Sequence, residues 1–344
     1  MLALVGCYAP HPQPGSPCVD GQCPAGLMCA EATQTCELEA SMIDAFVTPI
    51  DTPMRDGCVP VPEICGNGID EDCDFVDPPC AANDTASGAI DVSAGGTFTG
   101  DLAAAHDDAP EAGCNSDGGR DLFYKIALAA PEVIYFDTFG SNFGTILRVY
   151  PGKDCTQLAN TPTCDANACG GKQSQLALSL PTGTSCIVID QHATDTTGAL
   201  TLRVKRGGRD GTLLDPGAHT YTGTSCSGAN VTQPSCTVGD SKTSEDAAYY
   251  FTACPAQTRH VDATTCTDST MTHYDTVMYL RPLGGGTIAC NDDNMNCLPR
   301  VERPSKADGS VLSNAAATGP NLFWLTVDGY GGACGGYRLD TTLN

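Results

Sequence analysis

From about residue 84 onward, apolar and polar residues alternate with a period of two. The clearest stretches are Leu122-Phe123-Tyr124-Lys125-Ile126, Val133-Ile134-Tyr135-Phe136-Asp137, Thr145-Ile146-Leu147-Arg148-Val149-Tyr150 and Leu200-Thr201-Leu202-Arg203-Val204. A strand sends successive side chains to opposite faces, so this pattern predicts antiparallel sheets with one buried face. Gly, Asp and Asn between the stretches supply turns. No segment carries a convincing helical period.

The strand pattern occurs twice. Residues 122–126 match 249–253, 145–150 match 276–281, 163–169 match 289–297 and 186–190 match 324–328. Four blocks in one order at similar spacing predict two successive β-sandwiches, 84–206 and 211–344, joined at Gly207-Gly208. Ahead of them, residues 8–36 hold Cys18, Cys23, Cys29 and Cys36. So short a piece buries no core and needs two bridges to hold it. Residues 37–57, as in Thr48-Pro49-Ile50-Asp51-Thr52-Pro53, read as an extended linker, and 58–80 is a second cysteine-rich piece. The expected fold class is all-β: two tandem sandwiches preceded by small disulfide-rich modules and a linker.

Composition narrows the setting. There are 41 acidic and 17 basic residues, a net charge of −24. That excludes nucleic acid, whose phosphates need clustered Lys and Arg, and disfavours anionic lipid headgroups. The acidity serves solubility outside the cell or, as the sharper reading, a demand for hard cations such as Ca2+. The 21 cysteines are dispersed with no CxxC, which reads as disulfides formed after export to an oxidising space. Leu4-Val5-Gly6-Cys7, after the apolar Met1-Leu2-Ala3, resembles a bacterial lipobox. That resemblance implies acylation of Cys7, an anchor at the bacterial cell surface, and membrane contact through that anchor alone. Without Cys7 the count is 20, enough for ten bridges; the alternative is that Cys7 is one more bridging residue. The stretch before it lacks a full signal peptide, so the true start is expected upstream. Cys155 with Cys164 is the first pairing to try. Five cysteines fall in the first sandwich and seven in the second, odd counts that call for an inter-domain bridge or a different boundary.

The most specific local signal is Glu63-Ile64-Cys65-Gly66-Asn67-Gly68-Ile69-Asp70-Glu71-Asp72-Cys73-Asp74. It resembles the metal-binding motif of bacterial surface copper-binding proteins of the MopE type. Asp70, Asp72 and Asp74 at i, i+2 and i+4 follow the first ligand positions of a calcium loop, with Asn67 and Asp77 as further oxygens. Ca2+ is the expected cofactor and copper the alternative, because soft metals want His or free thiolate and residues 58–80 hold no His. Phe75 stands where such a loop prefers Gly. The alternative is an acidic turn closed by Cys65 with Cys73 or Cys58. A second acidic turn, Asn291, Asp292 and Asp293, lies between Cys290 and Cys297 and reads as a backbone turn or a cation loop.

Tyr274-Asp275-Thr276-Val277, Cys290-Asn291-Asp292-Asp293 and Leu325-Thr326-Val327-Asp328-Gly329 resemble, in that order, the pre-peptidase C-terminal type of domain. The resemblance implies a jelly-roll-like sandwich, frequent Ca2+ binding and an accessory role in secreted proteins. The first copy has Gly144-Thr145 in place of the Asp-Thr pair, so a cation site is expected in the second copy. None of the six His forms HExxH, and there is no GxSxG and no phosphate-binding Gly loop. The chain is therefore expected not to be an enzyme. The leading expectation is a surface lipoprotein whose sandwiches bind an extracellular polysaccharide or surface protein. The alternatives are metal sequestration through residues 63–77 and a secreted hydrolase with a carboxylate pair.

Overall fold

The computed structural model describes residues 16–19, 22–23, 27–30, 34–38, 64–71, 73, 75–110, 113–114, 118–158, 161–192, 195, 198–226, 228–236, 244–266, 274–294, 297 and 309–344. The lipobox with Cys7, most of the 37–57 linker, Asp72 and Asp74 lie outside them. Among the described residues the protein is all-β, its helices being single 3-10 turns.

Two compact units divide the chain. In the first, β1 (Ser16–Pro17), β3 (Thr35–Leu38) and β2 (Leu27–Ala30) pair antiparallel in that order. Cys18–Cys29 and Cys23–Cys36 tie the three together, covalent staples where a core is too small to form.

The second unit opens with β4 (Ile90–Asp91), β5 (Gly96–Asp101), β6 (Asp121–Leu128), β7 (Glu132–Asp137), β8 (Thr145–Tyr150), β9 (Thr163–Ala166), β10 (Gln175–Leu180), β11 (Gly183–Gln191) and β12 (Ala199–Arg206). They form two sheets, β4-β6-β11-β8-β9 and β10-β7-β12-β5, closed over Tyr124, Ile126, Phe136, Leu147 and Ile189. The chain then repeats itself with β13 (Thr212–Leu213), β14 (Gly217–Thr224), β15 (Ala247–Ala253), β16 (Thr258–Thr264), β17 (Thr276–Pro282), β18 (Ala289–Asn291), β19 (Val311–Thr318), β20 (Asn321–Gly329) and β21 (Gly336–Leu343). Their sheets are β13-β15-β20-β17-β18 and, read from the matching edge, β19-β16-β21-β14. Strand for strand this is the order of the first copy. Even the parallel pairing recurs, β4 with β6 and β13 with β15.

Register corrects one block of the duplication. Leu122 lies opposite Ile189, and Ala247 opposite Val327. Residues 122–126 therefore correspond to 247–251, two positions earlier than the sequence pairing. An even offset keeps every side chain on its face, which is why periodicity alone misses it. The cysteine-bearing blocks coincide: Arg148 faces Cys164 as Tyr279 faces Cys290.

The expectation of one buried face holds for β12 and β21, which alternate. It fails for β8, buried throughout, and for β11 and β20, buried along nearly their whole length. The outer face of the first five-stranded sheet is capped by Ala89, Ala109, Cys155 and Leu158 from loops over Phe123, Tyr150 and Val188. The outer face of the second is covered by the first sandwich: Tyr250, Leu322 and Trp324 pack on Val133 and Tyr135. Trp324, the one Trp of the chain, also explains the glycines at the joint. A Cβ on Gly207 would meet the Val133 carbonyl oxygen at 2.5 Å, and one on Gly211 the Trp324 ring at 2.7 Å.

Nine bridges have both partners described. Cys169–Cys254 joins the two sandwiches, which accounts for the odd counts. The expected Cys155–Cys164 pair does not form. Cys164 lies on β9, at the sheet edge, and meets Cys114. Cys155 lies past the end of β8, where the register sets Cys186 opposite Tyr150, and bridges Cys186 instead. Cys226–Cys334, Cys236–Cys290 and Cys266–Cys297 close the second sandwich. This many bridges is the chemistry of an oxidising, extracellular compartment. Among the described residues no helix is long and apolar enough to cross a membrane.

Candidate functional site

Among the described residues of the acidic segment at 64–80, the side-chain oxygens of Asp77, Asn67 and Asp70 accept backbone amides. Asp77 accepts the Gly66 and Gly68 amides, each at 2.6 Å, Asn67 accepts that of Ile69 at 2.7 Å, and Asp70 accepts that of Phe75 at 2.9 Å. Phe75 takes the left-handed conformation itself, φ +70°, so the absence of Gly does not prevent the turn. Cys65 bridges neither Cys58 nor Cys73; its partner is Cys80. Gly66 donates to the Pro78 carbonyl at 3.0 Å and so brings the two ends of the segment together.

The second acidic turn gains a member that sequence spacing did not supply. Asp292 and Asp293, after β18, come within 4.8 Å of Asp275, which immediately precedes β17. Adjacent strands β17 and β18 place them side by side. Three carboxylates at one point suit a hard divalent cation with oxygen ligands. Asn291 fastens the turn to β19: its Oδ1 accepts the Val311 amide at 2.7 Å and its Nδ2 reaches the Asp293 carbonyl at 3.5 Å. In the first copy Asp165 holds a turn instead, accepting the Ala168 and Gln175 amides at 3.0 Å each.

Behind both five-stranded sheets lie buried charges at equivalent places. In the first copy Asp121 accepts the Asp108 and Ala109 amides, and Arg148 donates to Asp190 at 2.7 Å. In the second copy Asp246 accepts the Val231 and Thr232 amides, and Arg209 donates to it at 3.1 Å while stacking over Trp324. Burial pushes the Asp121 carboxyl up to about 7. Burial, reinforced by the negative charge of Asp246, pushes Asp328 up to about 8. These groups are sealed from substrate-sized molecules and hold loops and linker in place.

The outward face of β14-β21-β16-β19 is open. It forms a trough of about 420 Å3 whose floor includes Thr220, Thr264, Thr342, Asp262, Arg338 and Asp340. Thr220 and Arg338 donate to one oxygen of Asp340, at 2.6 and 3.1 Å, and Asp262 caps the Asn314 amide at a bulge in β16. Short β-branched hydroxyls keep the floor low, and carboxylates stand within it. The register that builds it, Thr220 opposite Asp340 opposite Thr264, is a property of pairing across 120 residues, which no local motif announces.

No protein-family model matches the chain, and no curated protein matches it. Among solved structures it is similar to the pre-peptidase C-terminal domain of a collagenase from Bacillus anthracis (15% identity, 34% of this chain and 94% of that one, TM-score 0.24). It is also similar to the tail fiber protein gp63.1 from E. coli phage G7C (9% identity, 73% and 38%, TM-score 0.21). A third is the CUB1-EGF-CUB2 segment of human MASP-1/3 (9% identity, 72% and 99%, TM-score 0.17). The chain spans 38% of the length of the tail fiber protein. At these scores the similarities carry no argument about function.

Proposed function

We propose that the chain is a non-enzymatic, extracellular polysaccharide-binding protein of a bacterial surface, with the glycan lying in the trough of the second sandwich. The observation that supports this is the trough itself: an open, hydroxyl-floored groove running across four strands, with carboxylates inside it. Vicinal sugar hydroxyls pair with carboxylate and Thr oxygens, and an open groove admits a chain without demanding its end. Two carboxylates against one guanidinium favour neutral or amine-bearing sugars over anionic ones. Lipidation at Cys7 would hold the protein at the surface, and Ca2+ at Asp275, Asp292 and Asp293 would stiffen the loop beside β17.

The test is a glycan array probed with the full chain, with and without a Ca2+ chelator. Binding to a neutral or amino-sugar polymer is expected, weakened about tenfold or more by Asp340→Ala, the loss of one charged hydrogen-bond acceptor. Retention that is indifferent to Asp340→Ala and Thr264→Val, or an array without a single neutral or amino-sugar hit, sinks the reading.

A further inference from the structure

One cluster is absorbed neither by the trough nor by the acidic loops. Cys65, Cys80, Asp84 and His106 each offer a ligand atom, and all four atoms lie within 4.8 Å of one another. Among the described residues it is the one group of three or more such side chains that includes an imidazole. His106 Nδ1 stands 3.6 Å from the Cys80 sulfur and 3.9 Å from that of Cys65, and Nε2 is 4.0 Å from Cys65. Asp84 orients the ring: its Oδ2 is 2.9 Å from Nδ1, and its Oδ1 accepts the His106 amide at 2.6 Å.

We propose that Cys65, Cys80, His106 and Asp84 form a redox-gated site for a borderline divalent cation of the Zn2+ class, closed as a disulfide and opened by a dithiol reductant. The two sulfurs differ in access. Cys65 is 1% exposed, whereas Cys80 is half-buried. A reductant thiol gives its proton to the His106 imidazole as its sulfur attacks Cys80 Sγ; the S–S bond breaks, its electron pair leaves on Cys65 Sγ, and the imidazolium passes that proton on to it. The second reductant thiol then attacks the mixed disulfide, leaving as a cyclic disulfide and returning Cys80 as a thiol. Two electrons and two protons have moved from the dithiol to the cysteines.

Opening the bridge leaves the donors in place, because each is held by other bonds. Asp84 and His106 are fixed by the Asp84 amide on the Ala81 carbonyl and by the Asp121 amide on the His106 carbonyl. The Ala81 amide on the Ala104 carbonyl holds Cys80 close, and the Gly66 amide on the Pro78 carbonyl holds Cys65. Two thiols, an imidazole and a carboxylate are the donor set of a tetrahedral zinc site, and binding releases the two thiol protons.

The experiment uses the full oxidised chain, a limiting pulse of dithiothreitol at pH 7, alkylation and peptide mass mapping. The control is Cys226–Cys334, whose two cysteines are both exposed. Cys65–Cys80 is expected to open about tenfold faster than that more accessible bridge. His106→Gln, which leaves every cysteine present, is expected to abolish the advantage. After the pulse, Zn2+ followed by desalting is expected to leave about one metal per opened chain. Cys65→Ser/Cys80→Ser is expected to leave none. Opening no faster than Cys226–Cys334, a rate unchanged in His106→Gln, or opened protein that keeps no zinc overturns the proposal.

Discussion

The buried arginines are where single residues matter most. Arg148 is 1% exposed, yet it donates to Asp190 and to the Pro110 carbonyl, each at 2.7 Å. In the second copy the equivalent strand position is Tyr279, and the cation arrives instead from the linker as Arg209. Duplication kept the carboxylates and changed the source of their counter-charge. Arg148→Met keeps the volume and removes the charge, leaving Asp190 buried without its cation. Breaking a buried pair from one side costs about 3–5 kcal/mol. Urea unfolding of Arg148→Met should show a loss in that range; a loss under about 1 kcal/mol would mean the pair contributes no more than an exposed one.

At the level of strands and sheets, the seam between the sandwiches is fastened covalently by the Cys169–Cys254 bridge and, independently, by the packing of Trp324, Tyr250 and Leu322 on Val133 and Tyr135. They should separate experimentally. Removing a bridge acts largely on the unfolded chain, so Cys169→Ser/Cys254→Ser should lose about 2–5 kcal/mol while the linker stays protected from protease. Trp324→Ala opens the seam itself, at about 3–5 kcal/mol, and should make residues 206–211 cleavable. Cleavage in Cys169→Ser/Cys254→Ser with none in Trp324→Ala would show that the bridge alone docks the sandwiches.

The same elements show what the sequence could reveal. Alternation identified the strands, and the odd cysteine counts pointed to a bridge like Cys169–Cys254, because parity is conserved however the pairs fall. Alternation could not report the covering of β8, β11 and β20, since burial on the second face comes from loops and the other sandwich. Cys155 went to Cys186 rather than Cys164 because register, not nearness in the chain, decides which sulfurs meet. His106 escaped notice for the same reason: it lies 26 residues beyond Cys80, and only the sheet-side loop brings it back to the bridge.

For the molecule as a whole, pH should act through its carboxyls, and the sign follows from burial. Unfolded Asp titrates near 3.9, whereas folded Asp121 and Asp328 are raised to about 7 and about 8. Between those values the folded state holds protons that the unfolded chain has released. Their contribution to stability is therefore fully present below about 4 and is lost as pH rises through 7 to 8. The net charge of −24 adds self-repulsion in the same direction. Asp91 and Asp154 oppose it, their carboxyls held below the ordinary value by hydrogen bonds from Ser93 and Thr156, but their effect sets in below the pH where Asp titrates. The melting temperature should accordingly be higher at pH 5 than at pH 8. Measuring at about 0.5 M salt screens exposed charge and isolates the buried groups. Asp328→Asn, neutral throughout, should flatten the upper part of that curve. A melting temperature that is level or rising from pH 5 to pH 8 in high salt would show that these carboxyls ionise in the folded protein as freely as in the unfolded one.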